Sequence, residues 1–249
     1  MDTIKKYHKE LIRYKNKHLG ETCYILGTGK TLNKFKMIEK GILIGVNGII
    51  KSDLINNELF KYYFFGHGFL HKHKTNNISG TSKEREMENK RFVEEYLNVD
   101  KFCMVSKNEM TVGGEENNVS FDEEDIKYLL ENDVIPFDVT EKKINKNLEE
   151  SSFLNHSIIY PAIQFALYSG FKKIYLVGCD CIQYSLKDLD KYRFYKNKDY
   201  EEKEKIINKI FIKWWRKMYN FKQKNYLGVR ILNINPMGLK GRMDEDIYI

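Results

Sequence analysis

The sequence predicts a single α/β domain: a mostly parallel sheet, helices on both faces and a flexible flap near 183–200. Three observations carry this. Short apolar runs recur at 22–26, 41–49, 59–65, 174–178 and 229–234, and they run into glycine or asparagine, as buried parallel strands do at a turn. The first two runs lie about 20 residues apart with room for a helix between them, the spacing of a βαβ unit. At 249 residues and 42% hydrophobic content the chain can bury one large core. No repeat or low-complexity linker divides it.

Composition narrows the function classes. The 42 basic and 35 acidic residues are interleaved, for a formal charge of +7. A nucleic-acid binder more often shows a clustered patch, so nucleic acid is not expected as a partner. The mild positive charge suits an anionic ligand or a peripheral contact with an anionic membrane surface. Lys, Asn and Ile dominate and there are only three prolines, a bias that resembles AT-rich coding and weakens any argument from single lysines. Cys23, Cys179 and Cys181 lie in or beside apolar runs, which suggests reduced, buried thiols in a cytosolic protein. Cys179-Asp180-Cys181 lacks zinc spacing. The N-terminus is charged from Met1 to Lys6, with no signal peptide and no apolar run of membrane-spanning length. A cytoplasmic protein follows as the expectation, at most touching the inner face of a membrane.

The elements follow in order. Residues 3–18 have Ile4, Tyr7, Leu11 and Tyr14 at helical spacing and read as a leading helix on the domain edge. The first strand, 22–26, runs into Gly27-Thr28-Gly29-Lys30-Thr31, and a helix is expected over 32–39 with Thr31 as its cap. The glycines would let a ligand approach the backbone, and the amides at the helix start would suit a phosphate. The spacing is not that of a P-loop, and the third glycine of the dinucleotide fingerprint is missing. A tight turn without ligand is the plain alternative.

The second strand ends in Asn47-Gly48, which puts Asn47 at a carboxyl end, facing the crevice where open α/β sheets bind ligands; a simple turn asparagine is the alternative. The third strand ends at Gly66-His67-Gly68, with His67 as a pocket candidate. His71 and His73 follow without carboxylate or cysteine partners, so no metal is expected. Residues 74–91 are polar, 102–105 form a short strand, 107–125 make a surface excursion, 122–131 suit a helix, and 132–152 look irregular with Pro136 in an apolar turn.

A second organised stretch opens at His156-Ser157. Ser157 reads as an N-cap, Pro161 fits the first turn and Gly170 closes the helix. The next strand, 174–178, ends in Cys179-Asp180, so helix start and strand end can face one crevice. Residues 183–200 hold four tyrosines, among them Tyr184 and Tyr192, together with Arg193, in no clean period. They read as a flap over the pocket, with a plain surface loop as the alternative. A long helix over 201–222, mostly core, precedes the last strand and its loop Asn235-Pro236-Met237-Gly238.

Together these residues resemble a family. Tyr24-Ile25-Leu26-Gly27-Thr28-Gly29-Lys30-Thr31-Leu32 is similar to the strand-Gly-Asn-Gly-Pro-Ser-Leu opening of the bacterial sialyltransferases of glycosyltransferase family 42. Gly45-Val46-Asn47 resembles their second strand, which ends in a CMP-contacting Asn. Helix 157–169 and Gly170-Phe171-Lys172-Lys173-Ile174-Tyr175-Leu176-Val177-Gly178-Cys179-Asp180 resemble their Thr-Ser-Gly helix and the strand after it, and 231–236 their last strand. Motility accessory factor glycosyltransferases and archaeal hydroxymethylpterin pyrophosphokinases look similar in the same places. Thr28 replaces the family's Asn and Lys30 its Pro, and no His follows His156, where the family places its general base.

The resemblance implies a Rossmann-like domain and a metal-independent glycosyltransferase. Its donor would be a nucleotide sugar, CMP-linked and sialic-acid-like, and its acceptor a cell-surface glycan or a lipid-linked molecule. Gly27, Thr28, Gly29, Lys30, Thr31, Asn47, Gly66, Ser157, Asp180, Tyr192, Arg193, Asn235 and Pro236 would hold the nucleotide. His156, His67 and Tyr184 are the catalytic candidates, with His156 as base because a helix N-terminus lowers an imidazole's pKa. No cofactor is implied, and self-association fits as well as a monomer. The alternatives are a pyrophosphokinase-like phosphotransferase with Mg²⁺ on Asp180, or a nucleotide-binding relative without catalysis.

Overall fold

The computed structural model describes residues 10–66, 98–105, 123–140, 144–149, 152–153, 157–180 and 207–249. The strands are β1 Thr22–Leu26, β2 Ile42–Val46, β3 Phe60–Phe65, β4 Asp100–Val105, β5 Val134–Thr140, β6 Ser152–Phe153, β7 Lys173–Val177, β8 Arg230–Ile234 and β9 Glu245–Ile247. The α-helices are α1 Glu123–Glu131, α2 Ile159–Tyr168 and α3 Ile207–Asn225. The strands form one sheet in the order β6-β5-β4-β3-β2-β1-β7-β8-β9. Every neighbouring pair is parallel. This is the Rossmann-like α/β architecture that the apolar runs predict.

The chain lays β1 to β6 outward on one side, then returns to place β7 against the open side of β1. The direction of winding therefore reverses between β1 and β7. In open α/β sheets that reversal leaves a crevice at the carboxyl ends.

The two sheet faces explain why the strands carry no period-2 signal. In β3, Tyr62 and Phe64 enter one core and Tyr63 and Phe65 the other, so every position from 62 to 65 is buried. The first core is roofed by α2, all ten of whose residues are buried. Phe165 is its hub, with ring centroids 5.3 Å from Tyr14, 4.9 Å from Tyr62, 5.3 Å from Phe64 and 5.0 Å from Phe102. Trp215 of α3 meets Tyr160 of α2 edge-on at 5.2 Å. The second core is covered among the described residues by Leu129 of α1 and by short 3-10 turns that supply Leu32, Ile49 and Ile50.

Several expectations need correction. The helix over 32–39 is a single 3-10 turn, Lys30–Lys34, with Gly29 rather than Thr31 at its N-cap position. The second strand stops at Val46, and Asn47–Lys51 is a 3-10 turn. The leading helix does not reach residue 18: residues 12–14 are 3-10 and 15–20 a turn. Leu11 and Tyr14 lie in the main core, not on its edge. Amides of Asn16, His18 and Gly20 donate to the carbonyls of Tyr168, Ser169 and Gly170, satisfying acceptors that the end of α2 leaves open. Gly170 does close α2: Phe171 N donates to Ala166 O and Gly170 N to Leu167 O, a Schellman pair.

The stretch expected to be irregular, 132–152, holds β5 and β6, with Pro136 inside β5 opposite Cys103. Among the described residues β6 pairs only with Val139 and Thr140, so no described strand asks for an amide on Pro136's outer side, where proline is tolerated. The fourth strand starts two residues earlier than expected, at Asp100. α3 runs to Asn225, three residues past the expected end, and β9 was not anticipated.

α3 is tied to the β8–β9 edge by a buried charge. Lys222, 2% exposed, places Nζ 2.6 Å from Asp244 Oδ2. Ile231 N donates to the same oxygen at 2.6 Å, and Tyr219 Oη to Asp244 Oδ1 at 2.8 Å. Burial alone would raise the Asp244 carboxyl; the bonds from Lys222, Ile231 and Tyr219 outweigh it and hold the carboxyl below its usual value. Among the described residues no helix is long and apolar enough to cross a membrane.

Candidate functional site at the carboxyl ends of β1 and β7

The site is built from four strand ends that adjoin in the sheet, those of β2, β1, β7 and β8. At its centre two turns are clasped together. Gly27 N donates to Val177 O and Gly29 N to Gly178 O, each at 2.7 Å, so the β1 turn continues the ladder past the end of β7. Asp180 then reaches back across the switch point. Its Oδ2 accepts from Thr31 N at 3.1 Å and its Oδ1 from the Thr31 hydroxyl. The Lys30 backbone lies near enough to this carboxylate to help lower its pKa. Asp180 is 4% exposed, and burial raises its pKa while the bonds from Thr31 and the nearby Lys30 backbone pull it back.

This clasp changes the reading of the glycines. A Cβ on Gly29 would run into the Asp180 carboxyl group and lie 2.7 Å from Gly178 O. A Cβ on Gly27 would lie 2.5 Å from that same carbonyl. These glycines admit the neighbouring turn, whatever they also admit by way of ligand. Gly178 sits at φ +64°, where a side chain is strained. The Thr31 amide, expected to be open for a phosphate, is held by Asp180. Thr31 serves this clasp instead of capping a helix.

The flanking strand ends carry an asparagine each, both in the left-handed region: Asn47 at φ 44° after β2 and Asn235 at φ 48° after β8. Asparagine tolerates that conformation better than most side chains. Asn47 Oδ1 accepts from Gly66 N at 3.2 Å, and its carbonyl accepts from Tyr63 Oη at 2.7 Å. Its oxygen is thus engaged, and its turn to the crevice would be through Nδ2. Asn235 N donates to Ile247 O at 2.7 Å, and its Oδ1 accepts from Ile249 N at 3.0 Å. Its Nδ2 is buried without a hydrogen-bond partner, an arrangement that costs energy unless a ligand supplies an acceptor. The 235–238 loop is attached to the centre, because Gly238 N donates to Asp180 O at 2.7 Å.

The structure therefore brings together Gly27, Gly29, Lys30, Thr31, Asp180 and the loop of Asn235 and Pro236, with Asn47 and Gly66 joined at the adjacent strand ends. Thr28 lies half-buried in the same turn, and Lys30 is exposed. Ser157 accepts weakly from Ile159 N at 3.4 Å, one residue outside the assigned cap of α2, and among the described residues no contact links it to the clasp. His67, His156, Tyr184, Tyr192, Arg193 and the flap 183–200 lie outside the described residues, as does Cys181. Sequence reasoning missed Tyr63, which seats Asn47; neighbouring tyrosines at 62 and 63 give no sign of which one faces the turn.

An open cavity of about 970 Å³ lies at the opposite edge, lined by the amino ends of β2 to β5. Its rim charges pair with each other, Asp100 with Arg13 at 3.9 Å and with Lys17 at 4.0 Å. Parallel sheets place their ligand-bearing loops at the carboxyl ends, so the switch point is the better candidate. Among the described residues no group of three His, Cys, Asp or Glu could hold a metal ion. Comparison with known proteins finds no matching family model and no significant match to a curated protein or to a solved structure.

Proposed function

We propose that this chain is a glycosyltransferase that takes a nucleotide-activated sugar, CMP-linked and acidic, and passes the sugar to a hydroxyl of a glycan or lipid-linked acceptor. The observation that supports it most is the winding reversal between β1 and β7, flanked by two left-handed asparagines whose Nδ2 groups are not used by the turns that hold them. Such amides suit the carbonyl and hydroxyl acceptors of a base and ribose.

The reaction forms a bond from the acceptor oxygen to the sugar's anomeric carbon and breaks that carbon's bond to the phosphate oxygen, whose electron pair leaves with CMP. The hydroxyl proton passes to a base. Charge on the leaving phosphate has to be met by donors. With the Thr31 amide engaged by Asp180, the Lys30 ammonium takes that role. The competing phosphotransfer reading needs Asp180 to bind Mg²⁺; its burial and its bonds to Thr31 weigh against that.

His156 is the proposed base and His67 the competitor. With donor sugar and a hydroxyl acceptor, His156→Ala is expected to lower turnover by about 10²–10⁴-fold with nucleotide affinity little changed. Wild-type turnover in that variant removes His156 from the role. A loss confined to His67→Ala assigns it there, and Mg²⁺-dependent transfer of phosphate from ATP would replace the glycosyl reading altogether.

A further inference from the structure

α3 carries six basic residues and no acid in 19 positions: Lys209, Lys213, Arg216, Lys217, Lys222 and Lys224. The chain as a whole is nearly balanced, with 42 basic residues against 35 acidic, so this helix departs from the background. Lys222 turns inward to Asp244. At about 100° per residue, Trp215, Met218 and Lys222 mark the buried stripe. Lys213, Arg216, Asn220 and Lys224 fall on the opposite side, and all four are exposed. Along one border of that strip lie the half-buried Trp214 and Phe221. Lys213 Nζ stands 5.7 Å and Lys217 Nζ 4.6 Å from the Trp214 ring.

We propose that this outer strip of α3 docks the protein on an anionic lipid surface. The basic groups face the headgroups. A nucleic-acid groove would set open aromatic faces between its basic groups; this strip carries none, and its one tryptophan has lysines beside its ring. The apolar stripe of α3 is already spent on the protein's own core, so attraction to the surface is electrostatic and salt-sensitive. The proposal uses no residue of the β1–β7 crevice and stands or falls separately from the nucleotide reading.

The test is co-sedimentation of the full chain with phosphatidylcholine vesicles, with and without about one-third phosphatidylglycerol. Binding to the anionic vesicles is expected to be at least about tenfold stronger and to fall about tenfold from low to high salt. Lys213→Glu, Arg216→Glu and Lys224→Glu together should abolish that preference. The same charge change at exposed Lys40, Lys51 and Lys61 should retain it to within about twofold. Should the glutamate variant unfold, as read by circular dichroism, the corresponding triple Gln variant takes its place. Equal binding to neutral vesicles, or equal loss in the two triple variants, overturns the proposal. So does tighter binding to a DNA duplex than to anionic vesicles at the same salt.

Discussion

Asp244→Ala is expected to cost about 3–5 kcal/mol of stability, because it leaves the Lys222 ammonium buried and unpaired. It also removes the acceptor for Ile231 N and Tyr219 Oη. Urea unfolding of the variant measures the effect, and Lys222→Met in the Asp244→Ala background should recover part of it, since the stranded charge is then gone. The same carboxylate gives stability a sign in pH. Its folded-state pKa is depressed, so its contribution is full above the unfolded-state value and is lost as pH falls through the lower, folded-state one. Asp244→Asn should flatten that acid limb. An Asp244→Ala variant as stable as the wild type would show that α3 is held by its apolar stripe alone.

Gly29→Val is expected to destabilise the fold by about 3 kcal/mol or more, since the added side chain meets the Asp180 carboxyl group and Gly178 O in a turn with no room for it. The sequence alone suggests a different outcome, loss of nucleotide binding with an intact fold, because the glycine looks like a place for a phosphate. The clasp shows that the space is filled from within. Asp180→Asn, which keeps an acceptor for Thr31 N, should be far milder than Asp180→Ala. Equilibrium unfolding of the three variants decides the matter, and a Gly29→Val protein of wild-type stability would mean that the turn opens readily.

What was legible in the sequence is what local pattern encodes. Apolar runs gave β1, β3, β7 and β8 to within a residue or two, and Gly170 closed α2 where expected. The two-residue β6 and three-residue β9 are too short to leave a pattern. β5 was hidden because Pro136 reads as a turn unless one knows that no described strand pairs on its outer side there. The 3-10 turn at Lys30–Lys34 was mistaken for a helix because its composition permits either, and what fixes it is Asp180, 149 positions from Thr31. That pairing is the centre of the candidate site and has no local signature. Asn47 was readable from its place at a strand end, but its left-handed backbone and its bond to Gly66 were not.

A nucleotide is expected to bind at the winding reversal between β1 and β7. Calorimetric titration of CMP and a CMP-linked acidic sugar into wild type and Asn47→Asp tests it most directly. Aspartate keeps the oxygen that accepts from Gly66 N and the residue's tolerance of positive φ, while removing the Nδ2 donor. Binding to the wild type is expected, with a loss of about 1–3 kcal/mol, roughly 5- to 150-fold in affinity, in a variant of unchanged stability. No binding of either ligand to the wild type, or equal affinity in the two proteins, would contradict it.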